Sequence, residues 1–240
     1  MTHKKEHAFT LAEVLITLGI IGIVAALTMP MLLSNYRKQV VETRLAKFYS
    51  TMNQAIQQSE VDNGPKEYWD APQNGFLVDE EGNIDKTQSA TMAWYKKYLA
   101  PYLKVTDVRV NNIVGNLEVY FPDGSLVLIW DASWQFWPEA KNFQQYSVDE
   151  TTGESKNNYK LSGIKYFTFM FWPKWKENKY SYKHGMEAYA TPSTWDGKRE
   201  SLFTRSDIGC KEVVTNERAY CTRLIQMNGW KIPKDYPLKF

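Results

Sequence analysis

The hydrophobic pattern divides the chain into a long apolar segment near the N-terminus and a mixed C-terminal part. From Phe9 to Leu33 the only ionisable side chain among 25 positions is Glu13. At a helical rise of about 1.5 Å per residue the segment extends roughly 37 Å, more than a hydrocarbon core of about 30 Å. We therefore predict a membrane-spanning helix over residues 9–33, because the alternative, a buried core helix, rarely contains so many consecutive apolar residues.

Helical periodicity continues beyond this segment. Apolar residues recur at steps of three and four from Tyr36 to Ile56, and charged residues occupy the other faces. Gly64 and Pro65 then end the pattern. We predict an amphipathic stem over residues 34–60, continuous with the membrane segment, which packs against a globular partner.

Residues 61–240 are long enough for a globular head with its own core. The turn residues Pro122, Asp123 and Gly124 separate two strand-like runs and predict a hairpin. The whole pattern indicates an α+β fold, in which an antiparallel sheet packs on the long helix. The head's predicted helices are 91–103 and 215–228, its predicted strands are 105–110, 116–121, 125–130 and 164–172, and residues 131–163 are predicted to be an insertion or a loop.

The start of the apolar segment resembles the class III signal of type IV pilins and type II secretion pseudopilins. A short cationic leader, residues 1–8, precedes the string Ala8-Phe9-Thr10-Leu11-Ala12-Glu13. In that family a prepilin peptidase removes the leader, the new first residue, usually Phe, is N-methylated, and a glutamate is fifth. The resemblance therefore implies cleavage between Ala8 and Phe9, with Glu13 as the fifth residue. Ala8 replaces the family's usual glycine before the cut, and we expect processing to be tolerated or slowed, not abolished.

Glu13, Gly19, Gly22 and Pro30 are the predicted assembly residues. Glu13 lies one turn from the positive helix N-terminus and from the new amine, so it can neutralise the Phe9 amine of its own chain or of a neighbour. The simpler interpretation is a carboxylate at the level of the lipid headgroups. The glycines permit close helix approach and the proline weakens the helix, although both residue types are common in membrane helices.

Two other interpretations of residues 9–33 remain open. An ordinary secretory signal would be cleaved after Ala26, so that the mature chain begins at Leu27, and a simple anchor would keep Met1. Basic residues flank the segment on both sides, so the positive-inside rule sets no orientation. The pilin resemblance implies a single-pass protein of the bacterial inner membrane with its head outside the cytoplasm, which enters a cell-surface or periplasmic filament on assembly.

Composition narrows the candidate chemistry. The net charge of +2 and the mean hydropathy of −0.49 exclude a polytopic membrane protein and argue against a dedicated nucleic-acid binder. His184 is the only histidine beyond the leader, which excludes His-based metal sites and Ser-His-Asp triads, and no Gly-rich phosphate loop occurs. The acidic turn at residues 79–85 lacks regular EF-hand spacing and is interpreted as a solvated loop. We predict no catalytic residue, no metal and no cofactor.

Both cysteines and all the tryptophans lie in the predicted head. Cys210 and Cys221 enclose a short loop, either as a disulfide contributing about 3 kcal/mol through chain entropy or as two buried thiols. The pilin resemblance implies the disulfide, since many pilins close a C-terminal loop this way. All the tryptophans lie beyond residue 68, and we favour core and subunit-interface roles for them over a glycan-binding surface.

The combined prediction is a non-enzymatic, pilin-like structural subunit. Its expected partners are prepilin peptidase, other pilin or pseudopilin subunits, an inner-membrane assembly platform and the lipid bilayer. The competing prediction is a membrane-tethered or secreted protein that binds a glycan or another surface ligand. Type IV pili, secretion pseudopili and DNA-uptake filaments share the N-terminal signature, so the sequence does not choose among them.

Overall fold

One uninterrupted helix, α1 (Leu11–Asn63), connects the two parts of the chain. The computed structural model describes residues 10–144, 147–148, 155–156, 159–173, 185–190 and 195–240. The helix continues through Pro30 and ends before Gly64, whose φ of 75° lies in the left-handed region that glycine adopts without strain. The chain divides into two compact units, residues 1–40 with Phe240 and residues 41–239.

The described residues of the first unit, apart from Phe240, are a helical segment with an apolar surface. The large apolar side chains between Leu11 and Leu33 are exposed, with exposed fractions from 42% at Val14 to 79% at Leu11. Within the described part of the chain, α1 is the one helix long and apolar enough to cross a membrane. This agrees with the membrane segment predicted for residues 9–33.

The second unit begins with the amphipathic half of α1. Its buried positions follow the helical period that the sequence indicated: Val41, Leu45, Phe48, Met52, Asn53, Ala55, Ile56 and Ser59. Phe48 lies at the centre of this face. Its ring stacks on Phe136 with centroids 4.2 Å apart, and it meets Phe169 and Phe121 edge-on at 4.9 Å and 6.0 Å. The stem therefore packs directly on the sheet.

The strands of the described residues are β1 (Phe76–Val78), β2 (Ile84–Ser89), β3 (Asp107–Val110), β4 (Leu117–Tyr120), β5 (Leu126–Ile129), β6 (Ser133–Trp137), β7 (Ser147–Val148), β8 (Ser155–Lys156), β9 (Phe167–Met170) and β10 (Glu187–Ala188). The sheet beneath the stem is antiparallel and has six strands in the order β10-β9-β6-β5-β4-β3. Two smaller sheets pair β1 with β2 and β7 with β8. The further helices are α2 (Ala90–Tyr98) and α3 (Tyr220–Met227), with 3-10 turns at Lys66–Tyr68, Ala100–Tyr102, Ala140–Asn142, Tyr159–Leu161 and Glu200–Phe203. The predicted α+β fold is confirmed.

Several predicted elements are confirmed with shorter bounds. The β4–β5 hairpin turns at Pro122-Asp123-Gly124 as predicted, with Tyr120 paired to Leu126. Helix α2 ends at Tyr98 and gives way to a 3-10 turn containing Pro101, because proline lacks the N–H that an α-helix needs. Helix α3 begins at Tyr220, later than the predicted 215.

The prediction of a loop over residues 131–163 is wrong for its first part. Residues 133–137 form β6, which pairs with β5 on one side and β9 on the other, so it lies inside the sheet. Trp134, Phe136 and Trp137 are almost fully buried there. Flanking polar residues hid the strand in the sequence, and only pairing on both sides stabilises it.

The disulfide between Cys210 and Cys221 is confirmed, and both residues are fully buried. The core interpretation of the tryptophans holds for five of those described: Trp69, Trp94, Trp134, Trp137 and Trp195 are each less than 8% exposed. Trp175 and His184 lie outside the described residues.

Candidate functional site

The first turn of α1 contains a reciprocal cap. The carboxylate of Glu13 accepts hydrogen bonds from the backbone N–H and the hydroxyl of Thr10, each at 2.8 Å. In return the backbone N–H of Glu13 donates to the Thr10 hydroxyl oxygen at 3.2 Å. This is the capping box expected of Thr-x-x-Glu at a helix start, and it satisfies N–H groups that have no partner within the helix. Within a single chain, Glu13 thus has a local partner that the sequence analysis did not name.

The other predicted assembly residues lie along the exposed helix surface. A Cβ atom placed on Gly19 or Gly22 would have no neighbouring atom within 4 Å, so nothing in the chain itself requires these glycines. Pro30 sits within the continuous helix, where it offers no N–H to the carbonyl of Ala26. Ala8 and Phe9 lie outside the described residues.

The exposed surface from Leu11 to Leu33 is itself the largest unusual feature of the molecule. Soluble monomers rarely expose continuous apolar surface of this kind, which marks contact with a membrane or another protein. Its exposed large side chains are Leu11, Val14, Leu15, Ile16, Leu18, Ile20, Ile21, Ile23, Val24, Leu27, Met29, Met31, Leu32 and Leu33. The segment needs lipid, or apolar helices like itself, on every side.

A buried charged network joins the stem to the end of the head. Arg223 of α3 pairs with Glu187 of β10 at 3.3 Å, and both side chains are only 8% exposed. Arg223 also donates to the carbonyl oxygen of Ala188 at 2.7 Å. The Tyr49 hydroxyl of α1 donates to the other Glu187 oxygen at 3.3 Å, and Gln226 donates to Glu187 at 3.0 Å. One carboxylate thereby connects three elements.

The burial of this network shifts the pKa values of Tyr49 and Arg223. Burial, and after it the charge of Glu187, raises the pKa of Tyr49 to about 12. Burial lowers the pKa of Arg223 from its ordinary value, against the opposing effect of Glu187. The sequence analysis missed this network, because a charged residue in a helix pattern carries no sign of its burial.

Asn53 makes a second polar contact between the stem and β10. Its side-chain amide donates to the Met186 carbonyl oxygen and its Oδ1 accepts the Met186 N–H, both at 3.0 Å. Gly185 makes room for this pairing: its φ is 107°, and a Cβ atom there would lie 2.9 Å from Asn53 Oδ1. The head is therefore fixed to the stem by directional bonds as well as by apolar packing.

Two family models match the chain. The prokaryotic N-terminal methylation motif matches residues 3–29, and a family of unknown function (DUF6613) matches residues 31–240. No curated protein and no solved structure matches the chain. The first match confirms the prepilin-type signal of type IV pilins and pseudopilins that the sequence analysis identified around Ala8 and Phe9.

Proposed function

The chain belongs to the family of unknown function (DUF6613) and begins with a prepilin-type signal, and we propose that it is a structural subunit of a filament assembled from the inner membrane. The signal marks a pilin-like substrate of prepilin peptidase. Cleavage between Ala8 and Phe9, methylation of Phe9 and insertion into a type IV pilus or a type II secretion pseudopilus are the finer parts of the proposal.

The observation that carries this proposal is the helix surface from Leu11 to Leu33, exposed on all sides and interrupted by one carboxylate. Lipid covers such a surface in an inserted subunit, and neighbouring copies of the same helix cover it in a filament. Helices transferred from lipid to a bundle gain close packing and polar pairing, for which Gly19 and Gly22 leave space. The same surface thus serves both states without refolding.

Glu13 supplies the polar pairing. Cleavage after Ala8 would create an amine at Phe9, one helical turn from the Glu13 carboxylate. In a bundle, that carboxylate exchanges its bonds with Thr10 for the amine of a neighbouring subunit, which removes two unpaired charges from an apolar environment. Charge pairing at this level sets the axial register between subunits.

The localisation and partners follow from this role. The subunit resides in the inner membrane as a single-pass protein with its head outside the cytoplasm, until an assembly platform extracts it. Mass spectrometry of the mature N-terminus tests the first step: N-methylated Phe9 is expected. A mature chain beginning at Leu27 or Met1 would instead support a secretory signal or a simple anchor, and with it a tethered or secreted binding protein.

The Thr10–Glu13 cap permits a sharper test of Glu13. Glu13→Gln retains an oxygen that accepts from Thr10 but removes the charge, whereas Thr10→Ala removes the two hydrogen bonds of the Thr10 hydroxyl and leaves the charge. If charge pairing drives assembly, Glu13→Gln lowers the yield of sheared filaments and Thr10→Ala does not, while both insert into the membrane. The reverse ranking would mean that the carboxylate serves the helix cap alone.

A further inference from the structure

A cavity of about 300 Å³ opens in the head beside the stem. Phe48 of α1 and Phe121, which follows β4, form its apolar wall, and three cationic side chains also line it: Arg44, Lys47 and Lys104. Its volume lies at the lower end of the range of about 300–1,000 Å³ occupied by ligand pockets. We call it the cationic cavity. Its lining suits a ligand with both carboxylate and apolar groups.

The cations of the cavity exceed the carboxylates that face them. Lys47 pairs with Asp123 at 2.8 Å, and Arg44 donates to the carbonyl oxygen of Pro138. Arg44 also lies near Glu139, where its charge contributes, after Lys141, to lowering the pKa of that carboxyl. Lys104 is exposed, and no described residue forms an ion pair with its side chain. The cavity therefore retains positive charge.

The β1–β2 hairpin presents the complementary chemistry. Residues 77–84 are all exposed, and the apolar side chains Leu77, Val78 and Ile84 have exposed fractions of 42%, 59% and 60%. The tip, residues 79–85, contains no basic residue and four carboxylates: Asp79, Glu80, Glu81 and Asp85. We call residues 76–89 the acidic hairpin.

The turn of the acidic hairpin is held in one conformation. Asp79 accepts the backbone N–H groups of Glu81 and Asn83 at 3.0 Å and 2.7 Å. Asp79 is thus occupied in the turn, Glu81 accepts the side-chain amide of Asn83 at 3.4 Å, and Glu80 is exposed at the tip. A preorganised tip loses little conformational freedom when it binds.

The hairpin and the cavity lie at opposite ends of β4. At one end, the N–H of Gly75, just before the hairpin, donates to the side chain of Asn116, which precedes β4. At the other end, Phe121 follows β4 and lines the cavity. The four residues of β4 extend about 13 Å at 3.3 Å per residue between these two points. None of the hairpin residues 76–89 lines the cavity, so the hairpin does not fill the cavity of its own chain.

We propose that the cationic cavity of one copy of this chain receives the acidic hairpin of a second copy. Lys104 and Lys47 face the carboxylates of the tip, and Phe48 and Phe121 contact its exposed apolar side chains. Because two different surfaces of the head meet, the contact is head-to-tail, and such contacts extend into open filaments when the rotation does not close a ring. This inference rests on the proposed function, because the two copies are neighbouring subunits of one filament. It adds to that function the surfaces by which the heads contact one another.

Cross-linking of the full-length protein in detergent micelles tests the contact without requiring a filament. A carbodiimide joins a lysine amine to a carboxylate in direct contact. In an equal mixture of unlabelled and isotope-labelled protein, we expect peptides containing Lys47 or Lys104 to be joined to the peptide containing Glu80 and Glu81, with one label on each side. Cross-links from these lysines only to other segments or to other proteins, or none at all, would overturn the proposal.

Charge reversal gives the second arm of the test. Glu80→Lys and Lys104→Glu should each lower the mixed-label cross-link from Lys47 about tenfold or more, because like charges face one another, and the double variant should restore it. The matched controls are Glu212→Lys and Lys96→Glu, which reverse exposed charges elsewhere. Unchanged cross-linking in both single variants would refute the contact.

The outcome remains separable from that of the proposed function. If Glu80→Lys and Lys104→Glu form normal filaments while Glu13→Gln does not, the head-to-tail contact is wrong and the filament role stands. If the wild-type protein has no methylated Phe9 and forms no filaments, the filament role is wrong. The cross-link in micelles still decides the contact in that case.

Discussion

Removing Arg223 should destabilise the head far more than removing an exposed arginine. Arg223→Met leaves the Glu187 carboxylate buried, with the Tyr49 hydroxyl at 3.3 Å and the Gln226 amide at 3.0 Å as its remaining side-chain donors among the residues that the structure describes. Neither donor is a cation. Because Arg223 and Glu187 are both 8% exposed, water does not readily replace the lost partner.

The magnitude follows from that burial. Breaking a buried ion pair by removing one partner costs about 3–5 kcal/mol of unfolding free energy. For a unit of this size, 1 kcal/mol shifts Tm by about 2–4 °C, so we expect a decrease of about 6–20 °C. Adding Glu187→Gln removes the uncompensated charge and retains an oxygen that accepts from Tyr49. The double variant should therefore recover at least half of the loss.

Thermal unfolding of the full chain in detergent micelles, followed by tryptophan fluorescence, measures both effects. Arg199→Met is the matched control, because Arg199 pairs with Asp235 at 2.7 Å on the surface, with exposed fractions of 36% and 57%. Such pairs contribute about 0–1 kcal/mol. A cost below about 1 kcal/mol for Arg223→Met, or a double variant no more stable than the single one, would refute the argument from burial.

Three further predictions concern the second unit, the stem and the head together. Phe48→Ala should cost about 3–5 kcal/mol in urea unfolding, against less than about 0.5 kcal/mol for the exposed Ser50→Ala; similar values would contradict the packing described. Reducing the bond between Cys210 and Cys221 should cost about 3 kcal/mol, measured as a lower urea midpoint with reductant, and a variant with both cysteines replaced by serine should show no such response. Burial raises the pKa of Glu217 to about 7. Between about pH 4.5 and 7 the folded state therefore keeps the proton on the Glu217 carboxyl, whereas the unfolded state, in which the pKa is about 4.5, has released it. The free energy of unfolding should accordingly fall as pH rises from about 4.5 to 7. Glu217→Gln should abolish that fall in urea midpoints, and an unchanged pH dependence would exclude Glu217 as its source.

Local sequence patterns predicted the elements whose stability depends on their own residues. The helical period from Tyr36 to Ile56 and the Pro122-Asp123-Gly124 turn both act within a few positions, so the stem and the β4–β5 hairpin were found. The acidic hairpin pairs residues close in sequence, such as Leu77 with Asp85, but its turn was interpreted as a solvated loop. Strand β6 was not predicted, because pairing with distant segments, and not local preference, holds it in place. The same reason explains why α3 was predicted too long.

The candidate sites divide in the same way. Glu13 was identified because a single carboxylate in an apolar run is visible in the sequence. Its cap with Thr10 was visible too, as a Thr-x-x-Glu spacing that the sequence analysis passed over. The Arg223–Glu187 pair and the cationic cavity join residues far apart in the chain, and no spacing rule connects them.

By itself, the sequence determined the prepilin-type signal, the membrane-spanning length of the N-terminal segment and the α+β class, because each depends on residues that are neighbours along the chain. Only the tertiary structure decided which charges are buried and which carboxylates and cations lie at opposite ends of β4. Burial and electrostatic complementarity depend on distances in space, and those distances are set when strands and helices from separate segments pack together.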